Sequence, residues 1–183
     1  MKGGMEALEG IAARGFPETL TALFPPTMTD REVIALAWLM EEGTRRFYDA
    51  VSVTLDDRVT AGLFRDLASA EEKHKTLLSS LYAEFTGEQA RDDDLTSRIP
   101  SEPAHEPFME GGIRLKEAVA WLPGKSAKEI LEFSVGLETN AYDRYLTLAY
   151  NAKNDPAQRV LALLSREEKR HLHHLTGVFE QMI

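Results

Sequence analysis

The sequence predicts an all-α protein, a four-helix bundle made of two duplicated helical hairpins with a long crossover between the second and third helices. Three observations carry this. The step Glu-x-x-His occurs twice, as Glu71/His74 and Glu168/His171, and each step begins 30 residues after a lone acid, Glu41 or Glu138. Every member of one set lies 97 residues from its counterpart, including Tyr48 and Tyr145, which follow the lone acids by seven residues. A helix-start signal repeats at the same offset, Thr29 with Glu32 and Ser126 with Glu129, each spaced for a reciprocal capping box.

Taken in order, residues 1–28 read as an N-terminal appendage, and residues 29–183 as the bundle. Gly3-Gly4-Met5-Glu6-Ala7-Leu8-Glu9-Gly10 followed by Ala12-Ala13-Arg14-Gly15 resembles the last helix of rhodanese domains, which implies the tail of an upstream rhodanese-like domain. The alternative is a short helix ended by Gly15 and Pro17. Pro25-Pro26 separates this segment from the first long helix, which Thr29 caps. That helix carries the stripe Ile34, Ala37, Glu41, Thr44, Tyr48, Val51 at alternating spacings of three and four. Leu55-Asp56-Asp57 makes the turn. The second helix carries Phe64 and the stripe Leu67, Glu71, His74, Leu78, Leu81, and ends near Gly87.

From Glu88 to Lys125 the helical pattern stops. Pro100, Pro103 and Pro107 forbid a continuous helix, Asp92 to Asp94 form a solvated charge run, and Gly111-Gly112 marks a turn. So long a link has a geometric reason: a helix of about 27 residues spans about 40 Å, which the chain must retrace if helices two and three run parallel. A short helix over Leu115 to Trp121 fits on the way. Ser126 caps the third long helix, with stripe Leu131, Ser134, Glu138, Ala141, Tyr145, Leu148. In the turn Asn154-Asp155-Pro156, Asp155 is the expected cap, with Pro156 opening the fourth helix. Its stripe is Val160, Leu164, Glu168, His171, Leu175, Val178, Met182.

Composition narrows the function classes. A chain of 183 residues with formal charge −9 and no basic cluster argues for one domain and against a nucleic-acid surface. No run of 18 apolar residues suggests a membrane span, and Glu6 and Glu9 stand where a secretory core would be, so the expected location is the cytoplasm. Zero cysteines exclude disulfides, thiolate metal sites, iron–sulfur clusters and cysteine nucleophiles.

Residues equally far from a tight turn lie at equal height in a hairpin, which puts Glu41 and Glu71 at roughly 21 to 24 Å from theirs, with Glu138 and Glu168 matching them. Packing the hairpins together collects four carboxylates and two imidazoles in one buried cluster. Buried like charges are costly, and two divalent cations would balance four carboxylates. The offset also discriminates between neighbours, because Glu42 corresponds to Thr139 and Glu72 to Lys169. His105, His173, His174, Trp38 and Trp121 read as surface or packing residues.

Over residues 29 to 183 this pattern resembles the rubrerythrin-type proteins of the ferritin-like di-iron carboxylate superfamily, whose bundles take a Glu from each of two helices and a Glu-x-x-His from the other two. The resemblance implies metal ligands Glu41, Glu71, His74, Glu138, Glu168 and His171, with Glu71 and Glu168 bridging and Glu41 and Glu138 terminal or switching. It implies Tyr48 and Tyr145 as catalytic-site partners of carboxylates across the cluster, and two iron ions, with manganese or zinc as alternatives. Two departures stand out: no cysteine-rich rubredoxin segment, and Ala141 in place of a further Glu. The expected function is reduction of hydrogen peroxide or dioxygen by Fe(II), as a homodimer fed by an external electron donor. The alternatives are a ferroxidase or iron-handling protein, and a metal-stabilised binding or sensor module.

Overall fold

The computed structural model describes residues 28–87 and 107–181. Residues 1–27 of the expected N-terminal appendage, the Asp92 to Asp94 run, His105 and Met182 lie outside the described residues. Within them the chain forms α1 (Asp30–Thr54), α2 (Arg58–Thr86), a 3-10 turn (Glu110–Gly112), a short α3 (Leu115–Trp121), α4 (Ala127–Asn151) and α5 (Asp155–Glu180). The four long helices are those the duplication predicts, and α3 occupies the span expected for it.

Local chemistry fixes the helix ends. Thr29 Oγ1 accepts the Glu32 N–H (3.3 Å) while Glu32 Oε2 accepts the Thr29 N–H (2.7 Å), so both capping boxes predicted from sequence are complete. Ser126 and Glu129 repeat these bonds at 3.2 and 2.9 Å. Such a cap contributes about 1 kcal/mol, because it satisfies N–H groups that the helix itself leaves bare. Asp57 caps α2, accepting the Thr60 N–H at 2.8 Å. At its other end Gly87 takes the left-handed conformation, φ 69°, that an L side chain resists. One expectation is corrected. The cap of α5 is Asn154, whose Oδ1 accepts the Ala157 N–H at 2.9 Å, so Asp155 is already helical and Pro156 follows it. Either position leaves proline where its missing N–H costs nothing.

Each hairpin packs along its own length, α1 on α2 and α4 on α5; α2 meets α5, and α3 covers part of α1. Asn154 Nδ2 also donates to Asp30 Oδ2 at 2.8 Å, tying the second turn to the start of α1. The predicted stripes are buried, apart from half-buried Leu148, Val160 and Val178.

Two apolar clusters divide the core. One includes Ile34, Trp38, Leu78, Tyr82, Ala149 and Leu161. The other includes Phe47, Val51, Phe64, Leu67, Leu131 and Leu175. Along every long helix the acidic and histidine positions fall between these two. Each large side chain so buried contributes about 1.5 to 3 kcal/mol, which holds the polar layer in place from both sides. Among the described residues no helix is long and apolar enough to cross a membrane.

Candidate metal centre

The six residues singled out in the sequence come together in that middle layer. Glu41, Glu71, Glu138 and Glu168 are fully buried, and His74 and His171 are 2 and 5 % exposed. They form two groups, Glu41/Glu71/His74/Glu168 and Glu71/Glu138/Glu168/His171, in each of which the offered atoms lie within 4.8 Å of one another. Glu71 and Glu168 belong to both.

Distances show how the sharing works. Around His74 Nδ1 stand Glu168 Oε1 at 3.0 Å, Glu71 Oε2 at 3.1 Å and Glu41 Oε2 at 3.2 Å. Around His171 Nδ1 stand Glu168 Oε2 at 2.9 Å, Glu138 Oε2 at 3.2 Å and Glu71 Oε1 at 3.6 Å. Each shared carboxylate turns one oxygen to each imidazole. One ring nitrogen carries at most one proton and cannot satisfy three oxygens, and Glu71 Oε1 with both oxygens of Glu168 makes no hydrogen bond at all. The two rings lie nearly parallel, centroids 5.3 Å apart. Three oxygens and one nitrogen converging twice, with oxygens left over, is a donor set that fits a pair of cations.

Tyrosines close the remaining valences crosswise. The Tyr48 hydroxyl of α1 donates to Glu138 Oε1 on α4, and the Tyr145 hydroxyl of α4 donates to Glu41 Oε1 on α1. Each lone acid therefore has one oxygen held by a tyrosine and the other beside an imidazole. Burial, reinforced by Glu138 for Tyr48 and by Glu41 for Tyr145, raises both phenols well above their ordinary range, so they stay protonated as donors.

Protons redistribute over the acids and imidazoles in the metal-free cluster. Burial first, then Glu41 and Glu168, lifts Glu71 well above the carboxylate range, and burial brings Glu138 up to about 7. Burial also presses on Glu168, yet His74 and His171 outweigh it and hold that carboxyl low. The imidazoles move the other way. Burial lowers His171, but Glu138 and Glu168 more than offset it and raise it to about 12; His74 rises for the same reason through Glu168 and Glu41. Protonated imidazoles stand in here for positive charge that the acids demand.

The neighbouring acids do other work, as the 97-residue offset implies. Glu42 accepts from Arg45 Nε at 2.8 Å and from Lys75 Nζ at 2.7 Å, and Lys75 also reaches Glu72 Oε2 at 3.0 Å. The Lys75 ammonium sits 4.7 Å over the Trp38 ring, which gives that buried tryptophan a packing role. Burial raises the Glu42 carboxyl, but Arg45, Lys75 and Arg46 together bring it down to about 2. A depressed acid stabilises the fold above its ordinary pKa and loses that contribution as pH falls through the folded value. In chelator-treated protein at pH 7, Glu42→Gln is expected to lose about 1 kcal/mol, a figure kept small because the pair network is partly solvated. In urea titrations the gap from wild type is expected to close between about pH 4.5 and about pH 2. A gap unchanged at low pH would assign the loss to packing.

His173 and His174 are exposed. Ala141 is buried in the first apolar cluster, so α4 brings no further carboxylate one turn beyond Glu138. One acid the sequence did not mark is present: Glu110, from the 3-10 turn, is fully buried with both oxygens unpartnered. Its signals in the sequence are the flanking Gly111 and Gly112.

Residues 32–120 match the rubrerythrin family, which covers the first hairpin and the crossover as far as α3. No curated protein matches the chain. Among solved structures, a hypothetical protein from Pyrococcus furiosus is similar with a TM-score of 0.62 and 20 % identity, over 84 % of this chain and 89 % of that one. At that identity the likeness speaks for the fold.

Proposed function

From the match of residues 32–120 to the rubrerythrin family we propose that the chain is a non-haem di-iron redox protein reducing hydrogen peroxide or dioxygen with electrons from an external donor. The observation that carries the reading is the double sharing: Glu71 and Glu168 each present one oxygen to either imidazole-centred group. Glu71 and Glu168 would bridge two irons, with Glu41/His74 completing one position and Glu138/His171 the other. When bound, the pair supplies two electrons, Fe(II) becoming Fe(III) twice, which with two protons is the requirement for splitting one peroxide into two waters.

The chain's own residues prepare that step. Full burial of the acids removes competing water and strengthens each electrostatic contact. Tyr48 and Tyr145 hold the outer oxygens of Glu138 and Glu41, which leaves the inner oxygens directed at the cluster and fixes two carboxylates that would otherwise rotate. Their raised pKa keeps the hydroxyl protons on the phenols, as donors to these acids.

Anaerobic Fe(II) reconstitution of the full chain is expected to load two irons per chain, and stopped-flow mixing with peroxide to oxidise them faster than mixing with dioxygen. Fe(II) loading without accelerated peroxide consumption would remove the peroxidase reading. Accumulation of iron far beyond two per chain would favour iron handling instead.

A further inference from the structure

Glu110 is the one fully buried acid among the described residues that belongs to neither four-residue group and has no partner for either oxygen. It comes from the crossover, and the segment around it is tightly built. Met109 N–H donates to Ile113 O at 2.7 Å, Gly112 N–H to Met109 O at 3.0 Å, and Phe108 bridges to Arg114. Gly111 and Gly112, at φ 84° and 75°, make the reversal that L side chains resist.

The turn is seated against α1 and α4. A side chain at Gly43 would put its Cβ 2.0 Å from Phe108 O, so only glycine lets the crossover lie so close to α1. Thr44 Oγ1, on the next residue, accepts the Glu110 N–H at 3.1 Å. The backbone is thus held while the carboxylate is not. All four cluster acids act on it electrostatically, and it in turn acts on Tyr48 and Tyr145. Burying a carboxylate among four others with nothing to bond is expensive, and a cation is the partner that reverses the sign.

We infer that Glu110 is a fifth carboxylate ligand of the metal pair, delivered by the crossover rather than by a bundle helix. The inference rests on the di-metal reading above. Glu110 belongs to neither group as it stands, and with both oxygens unpartnered it would turn toward a metal by rotating its own side chain, with no hydrogen bond to break. Its position also has a chemical consequence. The helical ligands repeat as matched sets, whereas Glu110 comes from a segment between the two copies. It therefore gives one metal position a ligand that the other lacks.

The test uses the full chain as wild type, Glu110→Gln and Glu110→Asp, with 57Fe(II) loaded anaerobically, read by calorimetric titration and Mössbauer spectroscopy. Wild type is expected to bind two irons in distinguishable environments. Glu110→Gln is expected to weaken one site at least tenfold and to bring the two quadrupole doublets together. Glu110→Asp, which keeps the charge but draws the carboxylate back, is expected to weaken the same site, and serves alone if the amide variant folds poorly. Affinities within twofold of wild type with unchanged doublets would overturn the inference and leave the di-iron reading standing. A wild type that binds no pair of irons would overturn both.

Discussion

Glu71→Gln is expected to lose the metal pair and, in the metal-free state, to be more stable than wild type. Glu71 offers oxygens to both imidazoles, at 3.1 Å to His74 and 3.6 Å to His171, so neutralising it weakens both positions at once. In the absence of metal the same carboxylate is a burden. It is fully buried, Glu71 Oε1 has no hydrogen bond, and burial together with Glu41 and Glu168 penalises its charge. An acid whose folded pKa is raised loses stability as pH rises from its unfolded value, and the amide removes that slope. The metal-free gain is expected to be about 1 to 3 kcal/mol, the range seen when uncompensated buried charge is replaced. Loading reverses the order, since free metal at a hundred times its dissociation constant stabilises wild type by about 2.7 kcal/mol per site. Melting curves of both proteins, chelated and loaded, with metal content alongside, check the crossing. A variant that retains two metals per chain, or that melts below wild type when chelated, would contradict this account.

Gly43→Ala is expected to cost about 3 kcal/mol, the upper end for overpacking, because the obstructing atoms are backbone. The added Cβ would lie 2.0 Å from Phe108 O and 2.7 Å from its carbonyl carbon, and neither can swing aside as a side-chain tip can. The crossover has to lift, and the Glu110 amide then loses its bond to Thr44. Hydrogen exchange at Glu110 should accelerate while the amides within α2 and α5 stay protected. Gly136→Ala and Gly177→Ala are the controls, as a Cβ at either meets nothing within 4 Å. Both are expected to be neutral or to gain up to about 1 kcal/mol from helix propensity. Equal stability of Gly43→Ala and these controls would show that the crossover yields freely.

The bundle and the six-residue cluster were legible because helices are periodic and the motif is doubled. A stripe repeating every three or four residues places Glu41 or His171 in the core with no tertiary information, and the constant offset separates Glu41 from Glu42 and Glu71 from Glu72. The structure answers the second point physically: Glu42 and Glu72 meet Arg45 and Lys75 at the bundle's outer side. Glu110 was not legible. It lies in a proline-rich link without periodicity, and its burial depends on Gly43, 67 residues earlier, admitting a backbone. The Asn154 cap was missed for a smaller reason, as Asn and Asp serve equally well at that position and only geometry chooses between them.

The polar layer has an apolar cluster on each side along the bundle axis, and its acids and imidazoles show almost no surface. For the di-iron centre proposed above, this sealing would act as a filter on charge and size. A neutral molecule as small as peroxide would cross such packing at far lower desolvation cost than an anionic reductant, which would have to shed its hydration among Phe, Leu and Val side chains. If the proposed function holds, oxidant and electrons would reach the centre by different routes, the one by diffusion through the packing and the other by transfer through it. On the proposed function, a donor protein would dock on the outside of the bundle and reduce the centre without touching a metal.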